Sequence, residues 1–208
     1  MHEKVLNEEA QKNLKILSSN SFLKDFYLAG GTGCALQLGH RLSNDFDFFS
    51  DINFSALEVI KNLKKTGDFI TDYSDEGTVI GRLVGTKISF FYYSYPLLKE
   101  CLSYRGINLA SLEDIGCMKI DAVSSRGKKR DFIDLFFILK KRNMMFEDII
   151  DHFRIKYQKA GYNLLHVLKS LVYFDDADKD PELMMIEDVK WQDVKSFFVE
   201  QVRHLKIF

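Results

Sequence analysis

Asp45 and Asp47 flank a single phenylalanine in the run Asp45-Phe46-Asp47-Phe48-Phe49. An apolar, aromatic run bounded by turn-type residues reads as a buried strand. On a strand, side chains two apart share a face and lie about 6.6 Å apart along the chain. The neighbouring phenylalanines anchor the opposite face, and the two carboxylates are costly there unless a cation or strong donors satisfy them. A metal is the economical explanation. Phosphoryl and nucleotidyl transfer need such a pair, because two Mg²⁺ ions about 3.5–4 Å apart activate the attacking oxygen and stabilise the leaving one. The plainer alternative is a pair of aspartates at a strand end that merely face water.

Upstream stands Gly30-Gly31-Thr32, after a short strand over Phe26-Tyr27-Leu28-Ala29 and before a helix opening at Cys34-Ala35-Leu36-Gln37-Leu38. Glycines at a turn let backbone approach a ligand closely, and free amides at a helix start attract anions, so a triphosphate fits here. The connection Gly39-His40-Arg41-Leu42-Ser43-Asn44 leads into the acidic strand. It places Arg41 and Ser43 where they can touch phosphate oxygens or orient the metal ligands. His40 reads as a satisfied structural histidine.

A second constellation lies downstream. Ser111-Leu112-Glu113-Asp114 has the form of a helix start. Helical spacing then continues through Ile115, Met118 and Ala122, so that Lys119 and Arg126, seven apart, fall on nearly the same face. Residues 119–130 carry Lys119, Arg126, Lys128, Lys129 and Arg130 against the single acid Asp121, in a chain of net charge −1. Local positive charge of this kind suits a triphosphate or an RNA backbone, and a solvated loop between helices is the alternative. Asp131 and Asp134 suit the N-terminus of the helix that runs to Lys140.

Gly-Gly-Thr, Ala35-Leu36, Gly39-His40-Arg41, Ser43 and Asp45-Phe46-Asp47-Phe48-Phe49 together resemble the first motif of the AbiEii-type nucleotidyltransferase family, within the polymerase-beta-like superfamily. The stretch from Lys119 to Leu135 is similar to that family's later lysine, arginine and aspartate motifs. The resemblance implies that Asp45, Asp47, Lys119 and Asp131 are catalytic, with Asp131 positioning the lysine or the attacking group. It also implies Mg²⁺ (or Mn²⁺) on Asp45 and Asp47, and an NTP held by Gly30, Gly31, Thr32, Arg41, Ser43 and Arg126. It further implies a cytoplasmic, toxin-like or phage-defence enzyme with RNA, tRNA-like, as acceptor and a cognate antitoxin as partner.

One departure matters. Relatives in the wider superfamily generally carry a third carboxylate on a later strand, and in Lys87-Ile88-Ser89-Phe90-Phe91-Tyr92-Tyr93 the expected inward position is Ser89. A hydroxyl is a poorer metal ligand than a carboxylate. Either the site uses one metal or a water-filled second position, or Asp131 or another acid substitutes, or the chain binds nucleotide without turnover. A small-molecule nucleotidyltransferase is a further alternative, although it predicts an acidic acceptor cleft where the run 126–130 is basic.

The elements needed to position these residues are legible. The 208 residues, 46% hydrophobic and 13% aromatic, suffice for a substantial core. Three cysteines without paired spacing argue against a disulfide scaffold or structural zinc. No run of eighteen apolar residues suggests a membrane span. Helices are expected at 7–18, 34–38, from Ser55 to about Thr66-Gly67, and at 111–124, 130–141, 146–157, 163–174 and 191–207. Further strands are expected at 69–73, 78–84 and 87–93, the last two joined by a turn at Gly85-Thr86. The acidic stretch Asp175–Pro181 reads as an exposed loop. The expectation is an α+β fold with two parts: a small mixed-sheet core over 1–110 flanked by helices, and a helical region over 111–208 that completes the active-site cleft.

Overall fold

The computed structural model describes residues 1–205. Eight helices occupy Glu8–Ser18 (α1), Gly30–Leu38 (α2), Ala56–Thr66 (α3), Leu112–Arg126 (α4), Lys129–Arg142 (α5), Phe146–Lys156 (α6), Leu164–Ser170 (α7) and Trp191–His204 (α8). Seven strands occupy Tyr27–Leu28 (β1), Phe46–Ser50 (β2), Phe69–Asp75 (β3), Thr78–Leu83 (β4), Thr86–Tyr92 (β5), Leu102–Tyr104 (β6) and Ile107–Leu109 (β7). They form one mixed sheet in the order β3-β4-β5-β2-β1-β7-β6. The pairs β2·β5 and β1·β7 are parallel and the others antiparallel. This is the α+β arrangement that the sequence predicts.

The helix starts follow from their caps. Asn7 accepts from Ala10 N at 2.8 Å and Ser111 Oγ accepts from Asp114 N at 2.9 Å, each satisfying an amide left without an intrahelical partner. α4 ends at Gly127, whose φ of +55° is the left-handed stop that glycine adopts without penalty. The alternation of the strands divides their side chains between two faces. Phe46, Phe48, Val79, Leu83, Ile88 and Phe90 turn to one face and pack with Leu14 and Leu17 of α1 and Val59 and Leu63 of α3. The helices α4 to α8 gather a second core around Ile115, Ile120, Phe132, Ile138, Ile149 and Phe198. Lys156 and Asp114, both fully buried, meet at 2.7 Å; Asp114 also accepts from the amides of Leu98 and Lys99, so the loop after β5 is fastened to α4 and α6.

Several boundaries differ from the sequence reading. α2 begins at Gly30, four residues before the expected helix, so the glycines lie in its first turn and not in a turn ahead of it. The turn between β4 and β5 is centred on Val84-Gly85, with φ of +45° and +82°, one residue earlier than expected. That double positive φ is the turn whose twist matches a two-residue hairpin. The predicted helix 163–174 is shorter, ending at Ser170. β6 and β7 were not expected at all; each is three residues long. The predicted end of the last helix, at 206–207, lies outside the described residues.

Candidate active site

Asp47 occupies β2 and Asp45 lies just ahead of it, so only Asp47 is a strand residue. Asp45 is exposed and Asp47 half-buried. Their neighbour is the first turn of α2 at Gly30 and Gly31. Gly30 has φ of +62°, and a Cβ there would come within 2.8 Å of Asp47 Oδ2, so both the backbone conformation and the space require glycine. Thr32, expected on phosphate, is 1% exposed. Its hydroxyl is spent on Ser43 Oγ at 2.8 Å and on the carbonyl oxygen of Asp45, so it ties the two motif segments together. Burial, and then the charge of Asp45, push the Asp47 carboxyl above its ordinary value of 3.8. Ser89 stands directly opposite Asp47 in the β2·β5 register, where a third acid was looked for.

A second cluster of charge lies behind this pair. Lys119 Nζ sits 2.8 Å from Asp131 Oδ1 and 2.7 Å from Asp134 Oδ2. Arg126 donates from Nε and Nη2 to the two oxygens of Asp131 at 2.9 and 3.0 Å. Arg41 donates from Nε and Nη2 to the two oxygens of Asp134 at 2.7 and 2.8 Å, and from Nη1 to Leu42 O at 2.9 Å. His40 Nε2 lies 2.7 Å from the same carboxylate. Asp131 and Asp134 are fully buried. Burial alone would raise both carboxyls; the charges of Lys119 on Asp131, and of Arg41 and Lys119 on Asp134, overcome it, so that Asp131 is lowered and Asp134 falls well below 3.8. For Lys119 burial opposes the charge, yet Asp131 and Asp134 raise its pKa.

Arg41 was expected to touch phosphate oxygens or orient the metal ligands, with an ordinary surface charge as the alternative. It is 5% exposed, and the geometry turns most of its donors inward to Asp134. Cys34, His40 and Asp134 bring ligand-type atoms within 4.8 Å of one another. Two fixed cations already share that carboxylate, and burial pushes the Cys34 thiol well above its usual value. The trio is therefore poorly suited to a divalent ion.

The basic run beyond Arg126 also differs from expectation. Lys128 pairs with Asp180 at 3.0 Å; buried Lys129 meets Glu182 at 2.9 Å and the Asp180 carbonyl at 3.1 Å. Part of the acidic stretch is thus docked. The chain after it continues as a strap across the motif loop: Leu42 N donates to Met184 O at 2.8 Å, Ile186 N donates to His40 O at 2.9 Å, and Arg41 bridges to Met185.

These pieces surround one cavity of about 810 Å³. Gly30, Gly31, Arg41, Ser43, Asp45, Asp47, Lys119, Arg126 and Asp131 all line it, so every predicted site residue except Thr32 reaches the same space. Sequence reasoning did not select Asp134, although its spacing of three from Asp131 on one helix was available as a signal. It also passed over Phe49, Phe91, Asp121 and Glu182, which are among the other residues of the lining. For Glu182 no local pattern marks the role, since only the docking of the strap brings it there.

The family model described as the nucleotidyl transferase AbiEii toxin of a type IV toxin–antitoxin system matches residues 92–205, the segment that holds Lys119, Arg126, Asp131 and Asp134. The uncharacterized protein aq_aa25 of Aquifex aeolicus is 36% identical over 204 residues, which cover 95% of this chain and 96% of that protein. The crystal structure of JHP933 from Helicobacter pylori has the same fold, with a TM-score of 0.54 at 16% identity over 95% of this chain and 92% of that one.

Proposed function

The chain belongs to the AbiEii nucleotidyltransferase toxin family, and from its site we propose a divalent-metal-dependent transfer of a nucleoside monophosphate from an NTP to an acceptor hydroxyl of RNA. The observation that carries this reading is the contrast in neutralisation. Among the described residues Asp45 and Asp47 form no ion pair, whereas the cations Lys119, Arg41 and Arg126 are committed to Asp131 and Asp134. Two adjacent carboxylates, one with its pKa raised, facing a cavity beside a glycine bend are a donor set suited to a hard cation.

Asp45 and Asp47 would hold Mg²⁺ or Mn²⁺, which supplies charge neutralisation for the phosphates and activation of the attacking oxygen. The chain's own groups orient the nucleotide. Lys119 uses two of its three N–H groups on carboxylates, and Arg126 uses Nε and Nη2 on Asp131; the remaining donors are those left for a triphosphate. Because Asp131 fixes both cations, they meet the phosphates already oriented, which limits the reorganisation cost at the moment of reaction. The acceptor oxygen attacks the α-phosphorus as its bond to the bridging oxygen breaks, and pyrophosphate leaves. A cytoplasmic toxin restrained by a cognate antitoxin is the setting this family supports; among the described residues no helix is long and apolar enough to cross a membrane.

The test is incubation with each α-labelled NTP, Mg²⁺ and separated cellular RNA and protein. Label entering RNA with wild type and not with Asp47→Asn is the expected result. Tight nucleotide binding with no transfer to any fraction would replace this reading by a nucleotide-binding module, the alternative that Ser89 opposite Asp47 favours.

A further inference from the structure

The register of the sheet places three rows of side chains on the face that carries Asp47. Strands alternate their side chains, and directly paired residues share a face. From β3 inward, the first row is Ile70, Arg82 and Lys87; the second is Tyr73, Ile80, Ser89 and Asp47; the third is Asp75, Thr78, Phe91 and Phe49. The second row runs from the sheet edge to a catalytic acid across three strand spacings, about 14 Å.

This face mixes exposed apolar and aromatic side chains with charged ones, and Tyr73 Oη donates to Asp75 Oδ2 at 3.1 Å along it. Ile70 is 59% exposed and Tyr73 52% exposed, while Ile80 and Phe91 are half-buried. The opposite face of the same strands is covered by α1 and α3. Ile80, Lys87, Ser89 and Phe91 line the cavity that holds Asp45 and Asp47, so the exposed row is continuous with the site. Lys87 is close enough to bear on the Asp47 charge, and Arg82 is held beside Asp72 at 3.4 Å.

We propose that the open face of β3, β4 and β5 is the acceptor platform, and that its occupant is the single-stranded end of a nucleic acid. Flat aromatic and aliphatic side chains with a flanking cation are what successive bases and a phosphate backbone require. A span of about 14 Å accommodates a few nucleotides between Tyr73 and the acids, leaving the terminal hydroxyl at Asp45 and Asp47. A closed duplex presents its bases to itself and offers nothing to stack. The inference rests on the proposed transfer to RNA, but its first test does not require turnover.

That test is fluorescence anisotropy of a labelled ten-nucleotide single-stranded RNA, without NTP, against wild type, Tyr73→Ala and, as a comparably exposed tyrosine outside the row, Tyr173→Ala. Tyr73→Ala should weaken binding roughly 5- to 150-fold, the range equivalent to about 1–3 kcal/mol for one stacked base. Tyr173→Ala should bind as wild type, and a blunt duplex should not compete. In the transfer assay Tyr73→Ala should raise the KM for the oligonucleotide while leaving the KM for NTP unchanged. Equal binding by wild type and Tyr73→Ala, competition by the duplex, or a wild-type dimer that Tyr73→Ala dissociates would each overturn the platform. Tyr73-dependent binding without label transfer would keep the platform and remove the transferase reading. Transfer to protein or to small hydroxyl compounds, with no oligonucleotide bound, would do the reverse.

Discussion

Two pairs of aspartates lie on the same cavity wall or directly behind it, and they are handled in opposite ways. Asp131 and Asp134 are fully buried and share Lys119, with Arg126 on one and Arg41 and His40 on the other. Asp45 and Asp47 are more accessible, yet among the described residues they have no cation of their own. Burial does not explain the difference, because the deeper pair has the lower pKa values. What differs is where the protein places its fixed positive charge. The inner pair is a finished electrostatic structure that orients Lys119, Arg126 and Arg41, and the outer pair is left with a deficit for a ligand to fill.

The largest effect should come from the outer pair. Asp47→Asn is expected to reduce transfer by at least about a thousandfold, some 4 kcal/mol of barrier, since each ~1.4 kcal/mol is tenfold. The same substitution removes a carboxyl that folding disfavours in its ionised form, so thermal melting should show equal or higher stability. A large loss of stability would break the comparison.

The inner pair should behave in the converse way. Asp134→Asn leaves Arg41 and Lys119 short of a buried counter-charge, and removing one partner of such a cluster costs about 3–5 kcal/mol. Denaturant unfolding measures this, and a change under ~1 kcal/mol would show that the inner pair is not the structural one.

Acid separates the pairs further. Asp131 and Asp134 have folded pKa values below 3.8, so the stability they contribute is complete above that value and is lost as pH falls through the folded values. Asp47 is raised above 3.8, so its ionisation costs stability as pH rises through its folded value, and below that value a proton competes with a divalent ion. Titration calorimetry should find metal affinity declining in a window above pH 3.8 where melting still shows the inner cluster intact. Metal affinity and fold lost together would contradict the assignment. The smallest effect is expected at Lys128→Ala, which removes the half-exposed lysine from its ion pair with Asp180 and should change stability by less than about 1 kcal/mol.

Much of this was legible because it is local. Asp45, Asp47, Gly30 and Gly31 fall within a short stretch whose spacing is set by one strand, one bend and one helix, and Lys119 with Arg126 follows from helical periodicity. The inward position of Ser89 was read from the family resemblance and its own strand, while its register opposite Asp47 depends on the pairing of β2 with β5. The start of α2 was misplaced because glycine is a poor helix former and its turn-like signal dominates. β6 and β7 escaped because three-residue strands around Arg105-Gly106 have no period to read. The inward orientation of Arg41, the buried Thr32 hydroxyl and the strap over residues 40–42 depend on partners up to 147 residues away, as with Glu187 on His40, and no local pattern encodes them.

The central claim is that the uncompensated charge of Asp45 and Asp47 is a cation site. Mn²⁺ titration followed by electron paramagnetic resonance, in the presence of NTP, measures it directly on wild type, Asp47→Asn and the strap variant Glu182→Gln. The account predicts bound Mn²⁺ in wild type and Glu182→Gln and at least a tenfold weaker affinity in Asp47→Asn, about 1.4 kcal/mol or more. Equal Mn²⁺ affinity in wild type and a folded Asp47→Asn would contradict it.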